Sequence, residues 1–172
     1  MSREELKKLI LKKGVVTGKP IILSSTRMST YYFNLRPIAL DPVGCKMIAD
    51  VMIPKIKQYE ADCVGGTEDS SLPIISIICA LGGIPGFYVR KQTQKYGLRE
   101  LIEGNLGNVA VLVDDVATSG ESLLHVAKTV REAGCKVEHS ITIVDLLEGA
   151  KERLASHGIK HESIFDRDDF KL

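Results

Sequence analysis

The stretch Val109-Ala-Val-Leu-Val-Asp-Asp-Val-Ala-Thr-Ser-Gly-Glu-Ser122 restricts the fold of this chain more than any other. Its first five residues, Val109 to Val113, are all apolar and read as a strand buried on both faces, as in a parallel sheet covered by helices. Asp114 and Asp115 close the strand, and the small polar loop Thr118-Ser119-Gly120 follows. Leu123, Leu124, Ala127 and Val130 then recur at helical spacing up to a capping Gly134. In open parallel sheets, ligands bind beyond the carboxyl ends of the strands. The loop amides, the Thr118 and Ser119 hydroxyls and the helix N-terminus all suit a phosphate. Two carboxylates would repel that phosphate, yet they accept hydrogen bonds from sugar hydroxyls beside it, or hold a divalent metal through water. A sugar whose phosphate lies one or two bonds from its diol meets both demands. A P-loop is excluded, because it needs Gly-Lys-Ser/Thr and no lysine occurs between Val109 and Ala127. A receiver domain is excluded because only 57 residues follow Asp115.

The rest of the chain supplies layers around this unit. Residues 2–13 set Leu6, Leu9 and Ile10 on one face of a short amphipathic helix, with Ser2 and Glu5 as its capping box. Val15 to Ser25 reads as a strand pair or meander. It leads into a segment where Arg27, Tyr31, Tyr32 and Phe33 offer a cation and flat faces to a planar anionic ring; an aromatic edge strand packed on the core is the competing reading. Asp41 to Lys57 predicts a helix with Pro42 in its first turn and Pro54 disturbing its end. Cys63 to Gly66 predicts a short strand running into a flexible polar loop, Thr67 to Ser71. A helix over Pro73 to Leu81 and a strand over Gly86 to Val89 follow, the latter closed by Arg90 and Lys91. Polar Gln92 to Asn105, with Gly97 and Gly104, reads as a mobile lid. Beyond the central helix come a strand (Lys136 to Val144), a helix (Ala150 to His157), an edge strand (Ile159 to Phe165) and a charged tail from Asp166 to Leu172. No repeat or linker interrupts residues 1–172, so one α/β domain is expected.

Composition narrows the function classes. With 172 residues, 44% of them apolar, and a net charge of +1, the chain can build a substantial core and offers no nucleic-acid footprint. Cys45, Cys63, Cys79 and Cys135 are widely spaced without a C-x-x-C pair, which reads as free thiols in a reducing cytoplasm; the four histidines form no metal signature. The charged segment Arg3 to Lys13 is no signal peptide. Ser70 to Val89 carries no charge over 20 residues, but Pro73, Gly82, Gly83, Pro85 and Gly86 divide it into helix and strand, so no membrane partner is expected.

Residues 111–122 resemble the phosphoribosyl-pyrophosphate (PRPP) signature of type I phosphoribosyltransferases, and Asp-Asp-Val-Ala-Thr-Ser-Gly-Glu-Ser is most similar to the orotate phosphoribosyltransferase form. The run Ser25-Thr-Arg-Met-Ser-Thr-Tyr-Tyr-Phe-Asn34 is similar to that family's hood over the base. The resemblance extends from about Leu23 to Gly149. It implies an open, mainly parallel sheet flanked by helices, a small N-terminal hood within residues 1–36 and a flexible lid loop. PRPP binding would fall to Arg90, Lys91, Asp114, Asp115, Val116, Ala117, Thr118, Ser119, Gly120, Glu121 and Ser122, the acids on the ribose hydroxyls and the loop on the 5′-phosphate. Thr118, Tyr32, Phe33 and Arg27 would face the base, and Lys95 would join Asp114 and Asp115 as a catalytic residue. The implied chemistry is transfer of ribose 5-phosphate from PRPP to orotate with release of pyrophosphate, a step of pyrimidine nucleotide biosynthesis. Mg2+ would be held through substrate and water near Asp114 and Asp115, and the enzyme would be a cytoplasmic homodimer. The chain departs from the family at Ser24, Ser70, Gln94, Tyr96 and Leu146. The first two and Gln94 replace lysines, Tyr96 replaces a lid histidine, and Leu146 replaces an arginine that pairs with the orotate carboxylate. A leucine offers no bidentate fork. Another base, such as uracil, therefore stays open, as does a PRPP-binding regulator without turnover.

Overall fold

The computed structural model describes residues 2–22, 28–92 and 101–171. Helix α1 (Arg3–Leu9) starts at Ser2, whose hydroxyl accepts from the Glu5 amide while the Glu5 carboxylate takes the Ser2 amide, the capping box expected there. One wide turn, Ile10–Gly14, leads into β1 (Val15–Ile22), which pairs antiparallel with β2 (Met28–Phe33). Of the strand pair or meander expected over 15–25, the described residues Val15–Ile22 form one strand, and its partner is the aromatic segment. A short α2 (Arg36–Ala39) precedes α3 (Pro42–Lys57), capped by Asp41 on the amides of Val43 and Gly44. Pro54 does not end α3; the helix runs through it to Lys57.

The main sheet begins with β3 (Cys63–Thr67), α4 (Leu72–Gly82), β4 (Gly86–Val89) and β5 (Ile102–Gly104). It continues with β6 (Val109–Ala117), α5 (Glu121–Glu132), β7 (Lys136–Asp145), α6 (Ala150–Ala155) and β8 (Lys160–Asp166). The strand order is β5-β4-β3-β6-β7-β8, with only β4 and β5 antiparallel. β6 thus lies inside the sheet, buried on both faces. Val111 and Val113 join Ile48, Met52, Ile74 and Ile78 on one side, while Ala110 and Leu112 join Leu123, Val126, Ala127 and Val130 on the other.

Two expectations change here. The C-terminal part of the expected lid is strand β5, whose Ile102 pairs with Val89. Gly65 and Gly66 lie in β3, within the strand expected there. A Cβ on Gly65 would stand 2.1 Å from the Phe87 ring, and one on Gly66 would stand 2.4 Å from the Ser71 hydroxyl, so these glycines admit close neighbours. The expected charged tail is a 3-10 turn, Arg167–Phe170, with its own capping box between Asp166 and Asp169. Its Phe170 is buried, 5.0 Å from the Phe33 ring centroid and 5.5 Å from that of Phe165. Arg3 closes this end by bonding the Ile164 carbonyl and Asp169.

Candidate active site

Because β3 and β6 are parallel neighbours, their carboxyl ends open on the same edge of the sheet. A cavity of about 600 Å³ occupies that edge. Asp114, 5% exposed, sits at its floor. Its Oδ1 accepts from the Ser70 hydroxyl at 2.8 Å, the Ser71 hydroxyl at 3.0 Å and the Asp115 amide at 2.9 Å. Ser71 Oγ in turn accepts from the Thr67 amide at 3.1 Å. One carboxylate oxygen therefore ties the corner after β3 to the corner of β6. Asp115 Oδ1 takes the Val116 amide at 2.8 Å. Burial raises the pKa of Asp114, against the pull of Ser70 and the Asp115 amide. Burial and then the charge of Asp114 push Asp115 up to about 7, with Arg36 acting in the opposite direction. Two such neighbours titrate as a pair.

The loop after the acids is shaped for an anion. Gly120 stands at φ 73° before α5, and no side chain caps that helix. The amides of the first turn therefore point outward without an intrahelical partner. Thr118, Ser119, Glu121 and Ser122 line the cavity with them. The loop is held from behind: the Leu146 amide donates to the Ala117 carbonyl at 2.9 Å, and a Cβ on Gly120 would come within 3.1 Å of the Ala150 backbone. Lys91 also lines the cavity, with Nζ 2.9 Å from Asp69 and its amide on Glu68. The Lys91 and Asp69 side chains are 64% and 66% exposed, so this ion pair is weak and yields readily to a stronger anion.

The structure brings together Asp114, Asp115, Lys91 and the run Val116 to Ser122 around one cavity. Arg90 is not among its lining residues. Its guanidinium forks onto Glu103 of β5, at 3.1 and 3.0 Å, and onto the Tyr88 hydroxyl at 3.1 Å. Phe33, expected to face the base, is 4% exposed and packs on Phe170 in the core; Tyr32, on the other face of β2, is exposed. Leu146 is buried in the same core cluster. Arg27 and Lys95, with Ser24, Gln94 and Tyr96, lie outside the described residues. Sequence reasoning placed Thr67 and Ser71 in a polar loop but missed their network with Asp114, and it missed His125. The first two follow from the pairing of β3 beside β6, and His125 from its place one helical turn beyond Glu121.

Among the described residues, no three His, Cys, Asp or Glu side chains cluster as a metal cage. Donors at the edge include the Asp114 and Asp115 carboxylates and the Thr67 and Ser70 hydroxyls. These oxygen donors fit a magnesium ion that completes its shell with water and substrate phosphates.

The mostly parallel six-stranded sheet flanked by helices, with this acidic corner at its carboxyl edge, is the architecture of the type I phosphoribosyltransferase class. Comparison with known proteins agrees. The chain is 33% identical to the orotate phosphoribosyltransferase of Methanopyrus kandleri over 172 residues, 99% of this chain and 93% of that one. It is 34% identical to the orotate phosphoribosyltransferase of Rhodopseudomonas palustris (strain BisB18), covering 98% of this chain and 96% of the relative. Its structure matches the orotate phosphoribosyltransferase of Mycobacterium tuberculosis H37Rv, crystallised with PRPP, with a TM-score of 0.84 at 30% identity over 99% of both chains. No family model matches the chain. This chain belongs to the orotate phosphoribosyltransferase family.

Proposed function

We propose that the enzyme transfers ribose 5-phosphate from PRPP to orotate, releasing pyrophosphate. The observation that carries this reading is the paired acid at Asp114 and Asp115 beside an uncapped, glycine-led helix in one cavity. Asp114 and Asp115 accept hydrogen bonds from the two ribose hydroxyls and fix the ring, while the amides and hydroxyls from Thr118 to Ser122 hold the 5′-phosphate. The bond from the anomeric carbon to pyrophosphate breaks as the base nitrogen bonds to that carbon. An oxocarbenium-like ribose forms between them, so the enzyme acts by positioning and by stabilising the departing charge. Lys91 exchanges Asp69 for the leaving diphosphate, and Lys95 of the lid segment adds a second cation there. Mg2+, held through water by Asp114 and Asp115, supplies further charge neutralisation when bound. Thr118 and Tyr32 border the base. The 172 residues act as one catalytic domain, in a cytoplasmic homodimer.

One observation favours a second reading. Leu146 is buried and gives the base no charge, as a base without a carboxylate, such as uracil, would require. A pyrophosphate-release assay with PRPP, magnesium and a panel of bases separates the readings. Turnover with orotate supports the first and selective turnover with uracil the second. PRPP binding without release under any base overturns both in favour of a regulator. The double substitution Asp114→Asn with Asp115→Asn should abolish PRPP binding while the melting transition survives; unchanged affinity would refute the site.

A further inference from the structure

Four buried polar side chains of β7 and β8 take no part in the chemistry proposed above: Ser140, Thr142, Asp145 and His161. Ser140 and His161 are cross-strand partners, and the Ser140 hydroxyl lies 3.0 Å from His161 Nδ1. His161 Nε2 faces Asp145 Oδ2 and the Thr142 hydroxyl, each at 3.5 Å. Thr142 donates to the Val144 carbonyl, so its lone pairs stay open to Nε2. Burial lowers the pKa of His161, against the pull of Asp145. The neutral ring that satisfies its neighbours accepts from Ser140 at Nδ1 and turns its Nε2 proton toward the carboxylate.

This network holds the corner after β7. Asp145 Oδ1 accepts from the Leu147 amide at 2.8 Å, and Leu147 stands at φ 59°, a left-handed conformation that leucine seldom adopts. Such strain persists only where surrounding contacts over-determine it. Among the described residues, no hydrogen bond or ion pair other than the His161 contact reaches Asp145 Oδ2. The corner in turn braces the loop beside the cavity at two points. The Leu146 amide donates to the Ala117 carbonyl at 2.9 Å, and the Ala150 backbone backs directly onto Gly120. These contacts fix both ends of the run Thr118 to Gly120.

We propose that His161 is a positioning residue for PRPP: from β8, through Asp145, it sets the corner against which Ala117 to Gly120 is braced. This assignment rests on the reading that the loop and the start of α5 hold the 5′-phosphate. The ring touches no substrate and acts through Asp145 and the backbone of Leu146 and Leu147. An anion cradle made of amides works only while those amides stay aimed at one point, so a small shift of the corner costs affinity.

The test measures PRPP binding with magnesium, by calorimetry, in wild type, His161→Val, His161→Gln and Ser140→Ala, beside hydrogen exchange at the Leu146 amide. His161→Val strips Asp145 Oδ2 of its partner and should weaken PRPP about tenfold. The Leu146 amide should exchange faster in that variant, while the amides of β3 exchange as in wild type. His161→Gln keeps a donor toward Asp145 and should recover much of the affinity. A merely structural role predicts the reverse order, since valine fills an apolar space between strands better than glutamine. Ser140→Ala leaves the ring in place but free to turn, and should weaken PRPP about fivefold. If wild type binds PRPP and His161→Val binds it within twofold, the His161 assignment is overturned and the phosphate reading stands. Should His161→Val not fold, the same outcome in Ser140→Ala overturns it. If wild type does not bind PRPP, the phosphate reading fails and this inference with it.

Discussion

Replacing Asp115 by Asn removes a proton that PRPP must displace. Burial and the adjacent Asp114 push the Asp115 carboxyl up to about 7. At pH 6 about nine in ten molecules then carry the proton, and at pH 8 about one in ten. Only the ionised carboxylate is free to accept from both sides, so PRPP affinity at pH 6 should be about tenfold below that at pH 8 on account of this group. The phosphates of PRPP titrate in the same region, with a second pKa of about 6, and Asp115→Asn separates the two effects because asparagine does not titrate. Calorimetry at pH 6 in two buffers of unlike ionisation heat should show the wild type releasing about one proton more than Asp115→Asn on binding. The stability of the free protein follows the same sign. A carboxyl raised from 3.8 keeps its proton in the fold after the unfolded chain has lost it. Its contribution is complete below about pH 4 and is lost as pH rises through 7, by at most about 4 kcal/mol. Asp115→Asn should therefore gain on wild type in thermal melts as pH rises from 5 to about 8. Equal proton release and parallel melting curves in the two proteins would refute the reasoning.

Gly65→Ala would drive a methyl group to 2.1 Å from the Phe87 ring, and urea unfolding should record a loss of about 1–3 kcal/mol. Phe170→Ala should cost about 3–5 kcal/mol by the same measurement, because the ring is buried between Phe33 and Phe165 rather than loose in a tail. Lys91→Ala should leave stability within about 0.5 kcal/mol, since its partner Asp69 is as exposed as the lysine. Steady-state kinetics should nevertheless show KM for PRPP rising about tenfold once a charge-assisted contact to phosphate is gone.

What could be read from the chain alone divides along a physical line. The central strand and its helix were legible because burial on both faces leaves an unbroken apolar run, and because the loop between them has residues of only one chemical kind. Helices with side-chain caps, such as those opened by Ser2 and Asp41, were legible for the same local reason. Phe170 was not, since charges surround it in sequence and the rings that bury it come from distant strands. Strand β5 was hidden because three residues in a polar run carry no period. That β5 brings Glu103 to Arg90 was hidden for the same reason. The part of the site that Thr67 and Ser71 supply depends on β3 pairing beside β6, a matter of register that composition does not encode.

The hydrogen bonds converging on Asp114 Oδ1 have one further consequence. Ser70 and Ser71 stand in for solvent around a carboxylate that would otherwise be stranded, so under the proposed function an arriving sugar hydroxyl would trade places with a serine instead of stripping water from a bare ion. Such an exchange needs only hydroxyl rotation. Because the serines belong to a different β–α corner from the acid, the swap also informs that corner that its neighbour has been filled.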